Sequence, residues 1–265
     1  MADLEALIRD LYAETDDLAS IVEHAGGAAS FSLPTPAAGW SVGDTLAHLW
    51  FFDREATKAL TEPEAFAAEV TALLAGPDAE RLLETHVAEG RTLGDELLPT
   101  FREQRDAMVA ALRAVDPKSR VPWYGPPMSP MSFGTARLME TWAHGQDIVD
   151  AVGAQRAPTA RLRHIADLGV RTRLHSFTVR GLAPPDQPVF VSLTAPDGET
   201  WTWGDPDAAD RVEGPAEDFA LLVTQRRLQE DLRLSATGEA ANAWLSIAQA
   251  FAGGATTTDE SRRQS

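Results

Sequence analysis

The 265-residue chain contains no cysteine. That excludes disulfides, a cysteine nucleophile and thiolate metal ligands. A metal must be held by His, Asp or Glu, and thiol chemistry needs a thiol from outside. Positive charge is also scarce: 23 Lys and Arg stand against 40 Asp and Glu, a net charge of −17. A surface this negative repels phosphate backbones and anionic lipids, which argues against nucleic-acid and membrane partners. No apolar run approaches the roughly 18 residues that span a bilayer. The N-terminus, "MADLEALIRD", carries acids and an amphipathic period where a signal peptide is basic and then apolar. There is no Gly-rich phosphate loop, no G-x-S-x-G elbow and no H-E-x-x-H pair. A cytoplasmic location is expected.

What remains is a globular composition, 44% hydrophobic and 24% charged, long enough to bury one large core or two small ones. The first 180 or so residues read as helices. Leu4, Leu7, Ile8, Leu11, Leu18 and Ile21 recur at helical spacing over residues 3–25, before Gly26-Gly27. Ser41, with Asp44 three residues on, predicts a capped helix to about Leu60. A shorter helix is expected over 63–75. After Gly76-Pro77 a long one should run to about Val115, bent or split at Gly94 and Pro99. The stretch "DPKSRVPWYGPPMSPMSFG" holds five prolines and reads as irregular. Ser132 should cap the helix that follows, and Thr159 should open another that fades near Gly181.

After "LAPPDQP" the pattern changes. "VFVSLT" (189–194) alternates like a strand, and Asp197-Gly198 predicts a hairpin into "ETWTW". "LRLSATG" (232–238) offers another strand, and helices fit 215–224 and 239–250. The expected fold is multi-domain α+β: a helical domain over 1–182, a small α+β domain over 183–252, and a disordered tail over 253–265.

Three polar side chains interrupt the apolar faces. His48 lies on the buried stripe of "WSVGDTLAHLWFFD". Glu140 and His144 stand four residues apart on one face of "METWAHGQDIVDAVG". A lone core histidine is ordinarily bonded to a backbone carbonyl. Together, however, the three make a His₂Glu set from two bundle helices. Such a set leaves a fourth metal position open. Asp147 can orient His144, serve as a cap or lie exposed at the surface. His86, in the charged stretch "LLETHVAEGR", reads as solvated. His24 sits at a helix end, where a cation suits the dipole, and His164 and His175 share an arginine-rich helix with no ligand role expected. Alternating Trp201 and Trp203 read as one face of a strand.

These motifs, with "FALLVTQRRLQEDLRLSATGEAANAWL" near the C-terminus, make the chain similar to the mycothiol-dependent maleylpyruvate isomerase family over nearly its whole length. It is most similar there to an actinobacterial subgroup of uncharacterised metal-binding proteins. The resemblance implies a DinB-like four-helix bundle with a divalent metal, zinc, on His48, Glu140 and His144. It also implies a small C-terminal domain akin to sterol-carrier folds. That domain supplies an active-site arginine at Arg226, with Arg227 the neighbouring alternative, although Gln225 stands where relatives have glycine. The implied cofactor is mycothiol, which attacks a small electrophilic substrate in isomerisation or S-transfer. For isomerisation, addition makes a conjugated double bond single, rotation follows, and elimination restores it. Trp40 and residues 122–130, with Trp123, precede the ligand-bearing helices. They are expected to line the cofactor cavity from one shared end of the bundle. Two other functions fit the same ligands: a thiol-independent metal enzyme (hydrolase, lyase or cyclase) and a non-catalytic metal- or ligand-binding protein.

Overall fold

Short polar side chains start the helices of the N-terminal half. The Asp3 carboxylate accepts from Glu5 N and opens α1 (Leu4–His24). Ser41 and Asp44 form a reciprocal capping box on α2 (Val42–Thr61). Proline begins α3 (Pro63–Ala75). Beyond it lie α4 (Leu82–Arg91), α5 (Leu97–Ala114) and α6 (Pro130–Val152). The expected long helix is therefore two, parted where Gly94 takes φ 52°. Pro99 falls in the first turn of α5, where its missing N–H costs no helical bond. The cap of α6 is Ser129 with Pro130 behind it, not Ser132, whose backbone N–H donates to the Ser129 hydroxyl.

The structure, a computed structural model, describes residues 3–76 and 82–256. Residues 77–81, with the break expected at Pro77, and 257–265 of the expected tail lie outside the described residues. The chain divides into two compact units, Met1–Ala154 and Gln155–Ser265. In the first, α1, α2, α5 and α6 make a four-helix bundle, with α3 and α4 packed on α2. The ends of α1 and α5 cross-pair, Glu5 with Arg113 and Glu23 with Arg102, so these helices are antiparallel. On α6, Gly134 lies against Leu7 and Leu112, space that a side chain would fill.

The bundle core holds charge as well as hydrocarbon. Asp53, Arg105 and Arg137 are all buried. The Asp53 carboxylate accepts from Arg105 Nε at 2.6 Å and Arg137 Nε at 3.1 Å. Arg105 also donates to the hydroxyls of Thr15 and Thr141, each at 3.0 Å. One carboxylate thereby ties α2 to α5 and α6, and through Thr15 to α1.

The second unit begins earlier than the sequence suggests. The helices α7 (Leu162–Arg171) and α8 (Arg173–Thr178) belong to it, so the division falls at Ala154 and not at 182. Gly169 of α7 lets Val223 and Phe219 of α9 (Ala216–Val223) approach closely. The sheet has the order β2-β1-β3-β4, built from β1 (Val189–Thr194), β2 (Thr200–Trp203), β3 (Asp210–Pro215) and β4 (Ser235–Thr237). Pairing is antiparallel except for β1 with β3. The β1–β2 hairpin turns at Gly198, φ 87°. The helix α10 (Glu239–Leu245) closes the element order. The start of the expected tail is tied down: the Thr256 hydroxyl donates to Gln225 Oε1 at 2.8 Å. Among the described residues, no helix is long and apolar enough to cross a membrane.

Removing the shared carboxylate would leave two buried guanidinium groups uncompensated. Asp53→Ala is therefore expected to lower stability by about 3–5 kcal/mol, read by urea denaturation. A change below about 1 kcal/mol, typical of an exposed pair, would contradict the shared-anion account.

Candidate metal centre

The two central helices run antiparallel. His48 of α2 meets Glu140 and His144 of α6, and Asp53, further along α2, meets Arg137, further back along α6. This register brings the three expected ligands together. The Glu140 Oε2 atom lies 3.6 Å from His48 Nε2 and 3.3 Å from His144 Nε2. Among the described residues these three are the one group of His and acidic side chains whose ligand atoms all lie within 4.8 Å of one another. Ligands around a tetrahedral ion, at bond lengths of about 2.0–2.2 Å, stand about 3.3–3.6 Å apart. The donor types suit a divalent metal, and the two distances to Glu140 are close to that spacing.

Protonation favours the same use. Burial, with the His144 ring beside it, pushes the His48 imidazole down to about 3 and leaves it neutral at pH 7. Burial alone would raise the Glu140 carboxyl. Hydrogen bonds from His144 and His48 outweigh that and hold it well below the usual carboxylate range. A neutral imidazole at His48 and an ionised Glu140 carboxylate are forms that a hard or borderline dication accepts. Asp147 is buried and takes the first of its expected roles: its Oδ2 lies 3.3 Å from His144 Nδ1, placed to orient that ring.

His86 corrects the sequence reading. It is fully buried, not solvated, and its Nε2 lies 3.2 Å from His48 Nδ1. The cause is a close clamp of α4 on α2. A Cβ at Gly90 would come within 2.2 Å of the Ala47 Cβ, so only glycine permits this approach. Arg91 closes the clamp on the Asp44 carboxylate at 2.7 and 3.0 Å, and Arg54 reaches Glu89 from the other helix. The available signal was the i,i+4 pairing of His86 with the small Gly90 within an otherwise charged helix.

Aromatic rings wall the centre. Trp40 sits 5.1 Å from the His48 ring and stacks on His144 at 5.9 Å with an interplanar angle of 12°. Phe52 covers His48 from one turn further on, 4.7 Å between centroids. Trp123 stands behind Phe52 at 6.0 Å and stacks on Phe66. The shared-end expectation is corrected here. Because α2 and α6 are antiparallel, Trp40 enters where α2 starts, whereas 122–130 precedes α6 at the opposite end. Trp123 and Tyr124 therefore approach through Phe52, and the Tyr124 hydroxyl donates to Glu55 at 2.8 Å.

Arg226 belongs to the second unit and lies three residues past the end of α9. Its N–H donates to Leu221 O and that of Gln225 to Leu222 O, a helix end that needs a left-handed residue. Gln225 supplies it with φ 58° where glycine is usual. Its side-chain amide donates to Ala248 O at 3.1 Å and Thr256 O at 2.9 Å, which offsets the strain. Arg226 is half-buried, and its guanidinium donates to Thr224 O at 2.5 Å. Of the acidic residues near it in sequence, Asp218 is engaged by Arg233.

Residues 11–149, just over half of the chain, match the family described as the mycothiol maleylpyruvate isomerase N-terminal domain. The chain belongs to that family. Residues 185–236 match a second description, wyosine base formation. Uncharacterized proteins from two strains of Mycobacterium tuberculosis, CDC 1551 / Oshkosh and ATCC 25618 / H37Rv, are each 47% identical to this chain over 254 residues. Those matches cover 96% of this chain and 98% of each relative. In three dimensions the chain is similar to the crystal structure of the mycothiol-dependent maleylpyruvate isomerase, with TM-score 0.60 and 15% identity, over 89% of this chain and 93% of that one. A histidine-to-alanine variant of that isomerase matches over the same shares, with TM-score 0.59 and 16% identity. The shared fold is a DinB-like helical domain followed by a small sheet domain.

The shift at His48 sets a pH dependence. Between about 3 and the ordinary 6.5, the unfolded chain binds a proton that the folded chain does not. Stability of the metal-free protein therefore falls as pH drops below 6.5, by up to about 1.4 kcal/mol per pH unit from this group. His48→Gln should remove that slope above pH 4.5, where Glu140 does not yet contribute. Urea midpoints across this window check it, and an unchanged slope would contradict it.

Proposed function

We propose that the protein is a divalent-metal enzyme, with zinc on His48, Glu140 and His144, that uses mycothiol to transform a small electrophilic substrate as an isomerase or S-transferase. The observation that carries this reading is the His₂Glu cluster, its ligand atoms within 4.8 Å of one another, in a family named for mycothiol chemistry. A bound dication favours thiolate over thiol, so a nucleophile exists at neutral pH without a strong base.

The chain's own residues supply the rest. His48 and His144 would offer their Nε2 atoms and Glu140 its anionic oxygen, from a setting that exposes only 12–23% of each side chain. Trp40 and Phe52 restrict water around the histidines and provide apolar walls for a planar, conjugated substrate. Arg226, carried over from the family resemblance, is proposed to pair with a substrate carboxylate or with developing negative charge. The absence of cysteine accords with an external thiol. A cytoplasmic location accords with that chemistry.

Mass spectrometry of the zinc-loaded protein with mycothiol and a panel of conjugated and alkylating electrophiles tests the reading. Thiol-dependent product that disappears on chelation is expected. Turnover that needs the metal but no thiol would replace this reading with a water-activating or Lewis-acid enzyme. Arg226→Lys is expected to reduce turnover about 10-fold or more with metal content unchanged, because an ammonium lacks the planar bidentate fork. Wild-type turnover in that variant would remove Arg226 from the site.

A further inference from the structure

The His48 ring has two nitrogens with two different neighbours. Nε2 faces Glu140, and Nδ1 faces His86 Nε2 at 3.2 Å. His144 repeats the arrangement: Nε2 faces Glu140 and Nδ1 faces Asp147. In a neutral imidazole only one nitrogen has a free lone pair. If Nε2 gives its lone pair to an ion, the proton sits on Nδ1, and a buried proton there needs an acceptor. The atom within reach is His86 Nε2.

We propose that His86 is a positioning residue of the metal centre: it accepts the His48 Nδ1–H and so fixes that ligand's tautomer and ring orientation. The inference rests on the metal reading above. His86 is itself held for this role. Its ring packs between Trp40 at 6.0 Å, Phe51 at 5.2 Å and Phe52 at 5.5 Å. The Gly90–Ala47 contact, one turn along α4, sets the depth of the ring. The two histidine ligands thus have unlike supports, an anionic carboxylate for His144 and an imidazole for His48. His86 does not belong to the group of three whose ligand atoms lie within 4.8 Å of one another. It acts through His48.

The test measures zinc affinity of the full-length protein by competition with a chromophoric chelator. His86→Phe keeps the ring packing and removes the acceptor. His86→Gln keeps an acceptor at similar reach. The Phe variant is expected to bind zinc about 10–100-fold more weakly, and the Gln variant to recover most of that loss. If the wild-type protein binds no stoichiometric zinc, the metal reading falls and this inference falls with it. If the wild type binds and the Phe variant binds equally well, only the role of His86 is overturned. Weak binding by both variants would assign His86 to packing and would also overturn it. Long-range ¹⁵N spectra of the zinc-loaded wild type give a readout that no variant's folding affects. Zinc on His48 Nε2 with the proton on Nδ1 is expected, and zinc on Nδ1 would overturn the proposal.

Discussion

The antiparallel register of α2 against α6 is the constraint on which the rest of the first unit depends. It is pinned by one buried anion, Asp53, that receives guanidinium groups from both α5 and α6. Five residues before Asp53 on α2 lies His48, and three after Arg137 on α6 lies Glu140, so fixing one pair fixes the other. A slip of one helical turn would move a ligand by about 5.4 Å, beyond any metal–ligand bond. Buried ion pairs stabilise poorly compared with well-packed hydrocarbon, and their best-attested use is to specify register. That use accounts for the Asp53, Arg105 and Arg137 charges buried in the bundle core.

The triad was legible because each of its members violates the pattern around it. An imidazole on the stripe of α2 and a carboxylate–imidazole pair on α6 stand out against apolar neighbours. The supporting residues obey their local patterns and so stayed hidden. Arg105 and Arg137 lie on amphipathic helices, where arginine ordinarily marks the solvated face. His86 sits among acids, and its burial comes from a glycine–alanine contact between helices distant in sequence. Only the packed structure shows that contact. The direction of the 122–130 approach was equally hidden, since helix starts in sequence carry no information about which end of a bundle they occupy.

The second unit shows a similar division. The alternation of "VFVSLT" and the Asp197-Gly198 turn give β1 and its hairpin directly, with β1 at the bounds read from the sequence. The central strand β3, "DRVEGP", was missed because charge, glycine and proline obscure its period. Gly214 there permits the Arg233 carbonyl to approach within 2.5 Å of where a Cβ would stand. The helices α7 and α8 read as helical, but their assignment to this unit follows from packing of α7 on α9, which periodicity cannot reveal. At Gln225 a residue other than glycine takes a left-handed backbone conformation. The backbone keeps the left-handed turn, and side-chain bonds to Ala248 and Thr256 hold it.

The central claim is that His48, Glu140 and His144 hold one metal ion. Crystals of the zinc-loaded protein, examined for anomalous scattering at the zinc edge, address it most directly. The account predicts a single ion bound by His48 Nε2, His144 Nε2 and one Glu140 oxygen at about 2.0–2.2 Å, with a fourth position open to an exogenous ligand. An ion held by other side chains, or a centre without metal in which His48 bonds to the backbone as an ordinary core histidine, would contradict it.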